Sequence, residues 1–202
     1  MTIERADGSA GVDPYVLVER NLRTRAAGGQ WTAARDKVRT NQQAMTSGVL
    51  RLSFFTAVRS ETITQIRSWS GAAAAAATPT LCRTGVYEVD SSGNLGNLKA
   101  HANDTAMWNA LNKTETKTLT TPLSLVAGRY YAAAALVVSG TTVPQLISAA
   151  PIFYLAIQAE LFTNPPVHGC LTGQTDLPAS ITLASLAAPT GGDHCPLFCL
   201  LP

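Results

Sequence analysis

The sequence has little charge. Only 14% of its 202 residues are Asp, Glu, Lys or Arg, against about a quarter in an average soluble domain. The formal net charge is +2, and Lys and Arg are not gathered into the dense basic cluster that a dedicated nucleic-acid-binding protein carries. A weakly charged surface is typical of a protein that lies against other subunits.

The chain also lacks the segments that direct a protein into or across a membrane. Met1–Ala10 is polar, with no apolar stretch after a basic start, so we expect no signal peptide. The longest apolar candidate, Leu146–Phe162, is interrupted by Pro151, Gln158 and Glu160. It falls short of the roughly 20 clean residues that a transmembrane helix needs. We therefore expect the protein to fold in the cytoplasm.

No sequence signature of a common catalytic site is present. The chain has no Gly-x-Ser-x-Gly elbow, no P-loop and no Rossmann glycine pattern. No segment recurs at a fixed period, which argues against a solenoid or a propeller. We expect a protein that is not an enzyme and that holds no cofactor.

Charge is unevenly distributed along the chain. The first forty residues hold seven Lys or Arg and five Asp or Glu, whereas from Tyr130 onwards only Glu160, Asp176 and Asp193 are charged. We expect the N-terminal part to be solvated or paired with a partner by charge. We expect the apolar C-terminal third to be covered by identical subunits or neighbouring proteins, since such interfaces resemble a core cut in half.

Cysteine and histidine residues raise the question of a metal site. They are Cys82, His168, Cys170, His194, Cys195 and Cys199. Structural zinc sites prefer two closely spaced Cys or His pairs, and only the last three residues approach that pattern. Alternation along a strand would instead place Cys195 and Cys199 beside Leu197 as apolar filling. We favour buried thiols over a metal site, and both interpretations stay open.

The stretch Leu119–Gly140 contains the clearest strand signal. Apolar and polar residues alternate over Leu119–Leu125, which is typical of a strand with one buried face. Val126–Gly128 predicts a turn, and the mostly apolar Tyr130–Ser139 predicts a strand covered on both faces. We predict a β-hairpin whose second arm lies in the centre of a sheet and not at its edge.

Further strand signals follow at short intervals, separated by Gly, Pro and Asn. The predicted strands are Val49–Val58, Thr62–Trp69, Leu81–Val89, Leu95–Ala100, Thr114–Leu125, Val143–Ser148, Ile152–Ile157, Val167–Leu171, Ile181–Leu186 and Cys195–Leu201. The first two flank Ser60-Glu61 and are predicted to form a hairpin. Many short strands at such spacing predict an all-β sandwich or barrel.

The N-terminal part is predicted to form an arm and a short helix. Met1–Gly29 is polar with scattered glycines, typical of an extended arm or a disordered leader. In Gln30–Ser47, Trp31, Val38 and Met45 recur every seven residues, which indicates a helix. The helix either packs on its own domain or forms a parallel bundle of three chains. We therefore predict an anchoring and oligomerisation segment, residues 1–47, and a β-sandwich domain, residues 48–202.

Paired carboxylates are one kind of candidate functional residue, because glycan hydrolysis uses two of them facing one cleft. Glu88 and Asp90 are two residues apart and share a strand face, while Asp104 and Glu115 fall in nearby loops. A solvated face is the simpler interpretation of this pattern.

Aromatic residues are the second kind of candidate functional residue, because the apolar face of a pyranose stacks on an aromatic ring. Trp108 and Tyr87 are the candidates for such ligand binding, and Trp69 is a third. A core position is the alternative for each, and it is favoured for Tyr87 and Trp69.

Several segments, taken as a set, carry a resemblance to a known family. They are RLSFFTAVRSETITQIRSWSG, ATPTLCRTGVYEVDSSGNL, PLSLVAGRYYAAAALVVSG and GCLTGQTDLPAS. Together they resemble a β-sandwich domain of virion proteins from phages of actinobacteria, usually called minor tail proteins. The resemblance covers Val49–Pro202 and implies a jelly-roll module displayed on the particle, commonly as a homotrimer, that contacts the host surface. It implies no catalytic residues, and it makes Leu81–Asp90 and Leu123–Tyr131 core and turn positions.

We therefore expect a phage virion structural protein, assembled in the host cytoplasm. In this hypothesis it is a trimeric minor tail protein that exposes a jelly-roll-like sandwich for host-surface or glycan binding and attaches to other virion proteins through its N-terminal arm. A capsid decoration or head-fibre protein is the alternative. A polysaccharide-degrading enzyme is a third and less favoured one.

Overall fold

The computed structural model describes residues 29–33, 38–72, 79–90, 95–139, 142–149, 168–187 and 195–202. The strands in this part of the chain are β1 (Gln30–Trp31), β2 (Val38–Ala44), β3 (Leu50–Thr56), β4 (Glu61–Trp69), β5 (Leu81–Val89), β6 (Leu95–Asn103), β7 (Thr114–Leu125), β8 (Tyr130–Val138), β9 (Gln145–Ala149), β10 (His168–Leu171), β11 (Cys195–Pro196) and β12 (Cys199–Leu201). One turn of 3-10 helix, Leu183–Ser185, lies between β10 and β11. The described residues include no helix with the length and apolar character needed to span a membrane.

The strands pair in a nested order. β5 pairs with β6, β4 with β7, β3 with β8 and β2 with β9, and all four pairs are antiparallel. Nested pairing of this kind arises when one long hairpin rolls over into two layers, as in a jelly roll. The predicted all-β, jelly-roll-like antiparallel sandwich is therefore confirmed.

Three hydrogen-bonded sheets build the two layers. One has five strands in the order β10-β3-β8-β5-β6, another has the order β1-β12-β4-β7, and the smallest has the order β11-β9-β2. A bridge between Ser70 and Leu146 connects the end of β4 to β9. The smallest sheet therefore continues the four-stranded one.

Strand β8 lies at the centre of the five-stranded sheet, as predicted. It pairs with β3 along one edge and with β5 along the other, and residues 131–137 are all buried. Alanines at 133 and 135 pack into the core between the sheets, and alanines at 132 and 134 pack into a second cluster on the outer face. Side chains this small allow covering elements to approach the strand closely on both sides.

The outer face of the five-stranded sheet is covered by residues 172–187, which we call the strap. Ile181 is buried there against the cluster that contains Leu52 of β3 and Tyr87 of β5. Backbone hydrogen bonds from Leu98 N to Ala179 O (2.9 Å) and from Ile181 N to Gly96 O (3.2 Å) fasten the strap to β6. The second hydrophobic cluster is thus closed by the chain itself.

Many of the apolar residues that the structure describes after Tyr130 are buried within this chain. Residues 131–137 lie inside the sandwich, and residues 197–201 are at most 6% exposed. The expectation that other subunits cover these particular residues is wrong, because β8, the strap and β12 bury them within one chain.

The predicted helix at Gln30–Ser47 is wrong where the structure describes it. Its residues form β1, which pairs with β12, and β2, which pairs with β9. Trp31 stacks on Trp69, and Met45 lies in the core. The seven-residue spacing of the apolar residues therefore does not come from one helix face, because these residues lie on separate segments of the chain. The predicted boundary at residue 47 therefore does not separate two domains. The predicted arm, up to residue 28, lies outside the described residues.

The two predicted hairpins are crossings between sheets. β3 and β4, on either side of Ser60-Glu61, lie in different sheets, and so do β7 and β8 on either side of Gly128. Gly128 does form the predicted turn, with φ +81°. The predicted strand Ile181–Leu186 contains the 3-10 turn, and Ile152–Ile157 lies outside the described residues.

Candidate functional site

Trp108, a predicted ligand-binding residue, is a core residue. Its side chain is 1% exposed, and its Nε1 donates a hydrogen bond of 2.8 Å to Ser68 Oγ. Because protein atoms cover the ring, a sugar cannot stack on it. The predicted ligand-binding role of Trp108 is therefore wrong.

Tyr87, the second predicted ligand-binding residue, is fully buried. Its hydroxyl donates a hydrogen bond of 2.8 Å to Pro178 O in the strap. Burial, helped by the nearby Asp176 carboxylate, raises the pKa of Tyr87 well above its ordinary value. The third aromatic candidate, Trp69, is half-buried and stacks on Trp31 with 4.9 Å between the ring centroids. The core interpretation is correct for Tyr87, and its ligand-binding role is wrong.

Lys117 brings together two predicted carboxylates, Asp104 and Glu115, and Glu115 lies in β7 and not in a loop as predicted. Lys117 Nζ forms an ion pair with Asp104 and lies 3.4 Å from Glu115 Oε2. The hydrogen bond from Lys117 holds the pKa of Asp104 below its ordinary value, although burial opposes this. A general acid needs a raised pKa, so Asp104 is unsuited to that role. The three side chains form a structural ion-pair network.

The predicted metal-binding residues on β10 and β11 lie near an arginine. In the strand register Cys170 is opposite Arg51 and His168 is opposite Ser53. Burial raises the pKa of the Cys195 thiol, and Arg51 partly offsets this effect. A guanidinium group at this position disfavours a metal cation by charge repulsion.

Cys199 lies in the other layer, where β12 pairs with β4, and burial raises the pKa of its thiol to about 11. In the ranges that the structure describes, no three His, Cys, Asp or Glu side chains converge on a metal position. His194 lies outside those ranges. The cysteines form no disulfides, and the predicted burial of the thiol is confirmed for Cys82, Cys195 and Cys199.

A cleft of about 400 Å³ opens at the end of the sandwich, where β5 leads to β6 and β7 crosses to β8. The polar and exposed side chains that line it include Glu88, Asp90, Lys99, Val126, Arg129 and Tyr130. Small-molecule pockets usually have volumes of about 300–1,000 Å³. The cleft therefore brings together Glu88 and Asp90 of the predicted residues, but none of the aromatic candidates.

The turn at residues 126–129 forms one wall of the cleft, and every backbone amide in it donates a hydrogen bond. The bonds run from Val126 N to Tyr131 Oη (3.0 Å), from Ala127 N to Ser60 Oγ (2.9 Å), from Gly128 N to Ala57 O (2.8 Å) and from Arg129 N to Val126 O (3.1 Å). Groups held on a fixed backbone lose little conformational freedom when a ligand binds. The turn is therefore well suited to present a binding surface.

The opposite wall carries an ion pair. Lys99 Nζ lies 2.8 Å from Glu88 Oε2. Gly96 leaves room for the glutamate, since a Cβ atom at that position would lie 3.1 Å from Glu88 Cγ. Glu88 is opposite Tyr131 in the last registered pair of β5 and β8, so the two strands separate at the cleft.

Exposed apolar side chains are concentrated at the cleft. In the described part of the chain, the exposed large hydrophobic residues are Leu111 (45%), Val126 (45%) and Tyr130 (38%), and the last two line the cleft. The neighbouring Tyr131 points into the core and stacks on Phe55 with 5.8 Å between centroids. Alternation along β8 therefore directs Tyr130 away from the core.

The cleft offers hydrogen-bond donors, hydrogen-bond acceptors and an aromatic ring within one volume. Hydroxyl groups of a saccharide can donate to carboxylates and accept from Lys and Arg, while a ring face covers its C–H groups. Tyr130 and Arg129 were not predicted as binding residues from the sequence. The available signal was their position directly after the Gly128 turn, because loops at the ends of a scaffold commonly carry binding residues.

No protein-family model matches the chain, and no curated protein matches it.

Proposed function

We propose that this protein is a non-enzymatic virion structural protein, a trimeric minor tail protein whose sandwich binds a glycan of the host surface. The nested strand order supports this proposal, because jelly rolls recur in viral capsid proteins and in lectins. The segments that carry the family resemblance contribute to the strap and to β3, β4, β5, β7, β8 and β10.

The observation that carries the proposal is the cleft between the β5–β6 end and the turn at residues 126–129. It combines an exposed tyrosine with charged groups on a backbone fixed by hydrogen bonds. Such a combination suits recognition of a saccharide, whose ring has apolar faces and polar edges.

We propose a protein without catalytic activity, and the electrostatics of the carboxylates outside the cleft agree with this. Asp104 is held ionised by Lys117, whereas hydrolysis of a glycosidic bond requires a protonated carboxyl as general acid. Incubation of the protein with host envelope polysaccharide is expected to release no reducing sugar, and measurable release would support the enzyme hypothesis instead.

The homotrimer and the virion location are supported by the resemblance, and attachment through the N-terminal arm is supported by the charged, glycine-containing sequence of that arm. The mass of the protein in solution tests the first of these. Labelling the protein on intact particles tests the second: label at the tail supports a tail protein, and label distributed over the capsid supports the decoration or head-fibre alternative.

The glycan-binding role is tested by replacing Tyr130 with alanine and measuring binding of the full chain to host cells. Leu111→Ala is the matched control, because it also removes an exposed apolar side chain but lies outside the cleft lining. We expect Tyr130→Ala to weaken binding by up to about tenfold, in line with loss of an aromatic contact of about 0.5–1.5 kcal/mol. Equal binding by both variants and the parent would refute the proposal.

A further inference from the structure

The charged groups of the cleft are not equivalent. Lys99 and Glu88 lie 2.8 Å apart and neutralise each other. Arg129, on the facing wall, is exposed and forms no ion pair with any carboxylate that the structure describes. Arg129 therefore provides a cationic group in the cleft that can bind a ligand.

The backbone of Arg129 is held in a defined position. Its amide donates to Val126 O at 3.1 Å, and its carbonyl accepts a hydrogen bond of 2.9 Å from Ala57 N. The ring of Tyr130 follows directly in the chain and is 38% exposed. A guanidinium group binds a carboxylate or a phosphate through two parallel hydrogen bonds, which neutral hydroxyl groups satisfy less well.

We infer that the cleft selects saccharides that carry an acidic substituent, a carboxylate or a phosphate, which Arg129 binds while the sugar ring lies against Tyr130. This inference rests on the proposed glycan-binding function and specifies its ligand class. Lys99 contributes less to the acidic group, because Glu88 already neutralises it.

Replacement of Asp90 tests whether the ligand is acidic or neutral. Asp90 lies directly beyond the end of β5 and lines the cleft together with Arg129. A negative group bound by Arg129 is repelled by the Asp90 carboxylate, so Asp90→Asn is expected to strengthen binding of an acidic saccharide. For a neutral saccharide the same change does not strengthen binding, because the ligand carries no charge to be repelled.

The experiment measures binding of the full-length protein to a panel of bacterial oligosaccharides in matched acidic and neutral forms, at low and high salt. We expect the acidic members to bind more tightly and to lose affinity as salt rises. Arg129→Gln is expected to reduce their affinity about tenfold or more. Arg83→Gln is the control, because it removes the same charge outside the cleft lining.

The outcomes separate this inference from the function on which it rests. Neutral and acidic members that bind equally, with Tyr130→Ala weakening both and Arg129→Gln weakening neither, would overturn the inference and leave glycan binding in place. No binding to any member, or binding that Tyr130→Ala does not change, would overturn the proposed glycan-binding cleft and the inference with it.

Discussion

The indole Nε1 of Trp108 donates a hydrogen bond of 2.8 Å to Ser68 Oγ, from a residue whose own backbone has φ +64°. A left-handed backbone is costly for a side chain of this size. The fold tolerates this strained backbone because the loop between β6 and β7 places the Trp108 side chain in the core, beside Met107 and Cys82. The loop therefore fills the interior.

We expect Trp108→Ala to lower the free energy of unfolding by about 3–5 kcal/mol, because it leaves a large cavity and an unpaired serine hydroxyl. Urea unfolding followed by circular dichroism measures this loss. Ser68→Ala removes only the hydrogen-bond partner and should cost about 1–3 kcal/mol. If Trp108→Ala were as stable as the parent but failed to bind glycan, the ring would have to be a ligand contact after all.

Substitution by alanine should lower the stability of the protein by different amounts at two glycines, because their surroundings differ. At Gly128 the backbone has φ +81° and no atom lies within 4 Å of the position of an added Cβ, so only backbone strain of about 1–2 kcal/mol is expected. At Gly29 an added Cβ would lie 2.4 Å from Cys199 Sγ and 2.7 Å from Leu200 O. We expect Gly29→Ala to be the more destabilising change in thermal unfolding, because a backbone carbonyl cannot easily move away. Equal losses would contradict the packing of residue 29 against β12.

The long strands were predictable from sequence because each has a strong local signal. The bounds of β5, β7 and β8 agree with those predicted, and the central position of β8 followed from its unbroken apolar run. Strand partners were not predictable in the same way. The turn at Gly128 has the same chemistry whether the chain folds back to pair with β7 or crosses to the other sheet, so a crossing was mistaken for a hairpin.

The helix at Gln30–Ser47 failed because its apolar spacing arises by chance from two strands. β2 reads VRTNQQA, which has little apolar alternation, and its place in the sheet comes from pairing with β9 more than one hundred residues away. Tertiary context overrides local propensity in such a segment. The candidate site failed for a related reason, since the burial of Trp108 and Tyr87 depends on the loop and on the strap, neither of which has a periodic signal.

The strap is expected to contribute strongly to stability, because it closes the second hydrophobic cluster. Ile181 is 3% exposed, so Ile181→Ala should lower the free energy of unfolding by about 2–5 kcal/mol. Thr182→Ala, at an exposed neighbouring position, should change it by less than about 0.5 kcal/mol. Urea unfolding at one protein concentration measures both. A neutral Ile181→Ala would mean that the strap is not packed on the sheet in solution.

Buried thiols should make the protein lose stability in alkaline solution. Burial, with a smaller contribution from Asp104, raises the pKa of Cys82 from 9.0 to about 12, although Arg83 acts in the opposite direction. The folded chain therefore keeps a proton that the unfolded chain releases above pH 9. The stabilisation is complete below pH 9 and is lost as pH rises from 9 towards 12, because the unfolded state then binds fewer protons than the folded state.

Cys82→Ala isolates this contribution. For each such thiol the free energy of unfolding should fall by up to about 1.4 kcal/mol per pH unit above pH 9, so urea unfolding between pH 8 and 10.5 should show a shallower slope in the variant than in the parent. The comparison is between slopes, because the lost packing of the sulfur affects all pH values alike. Parallel slopes would mean that the Cys82 thiol ionises as readily in the folded chain as in the unfolded one, which contradicts its burial beneath the loop that carries Trp108.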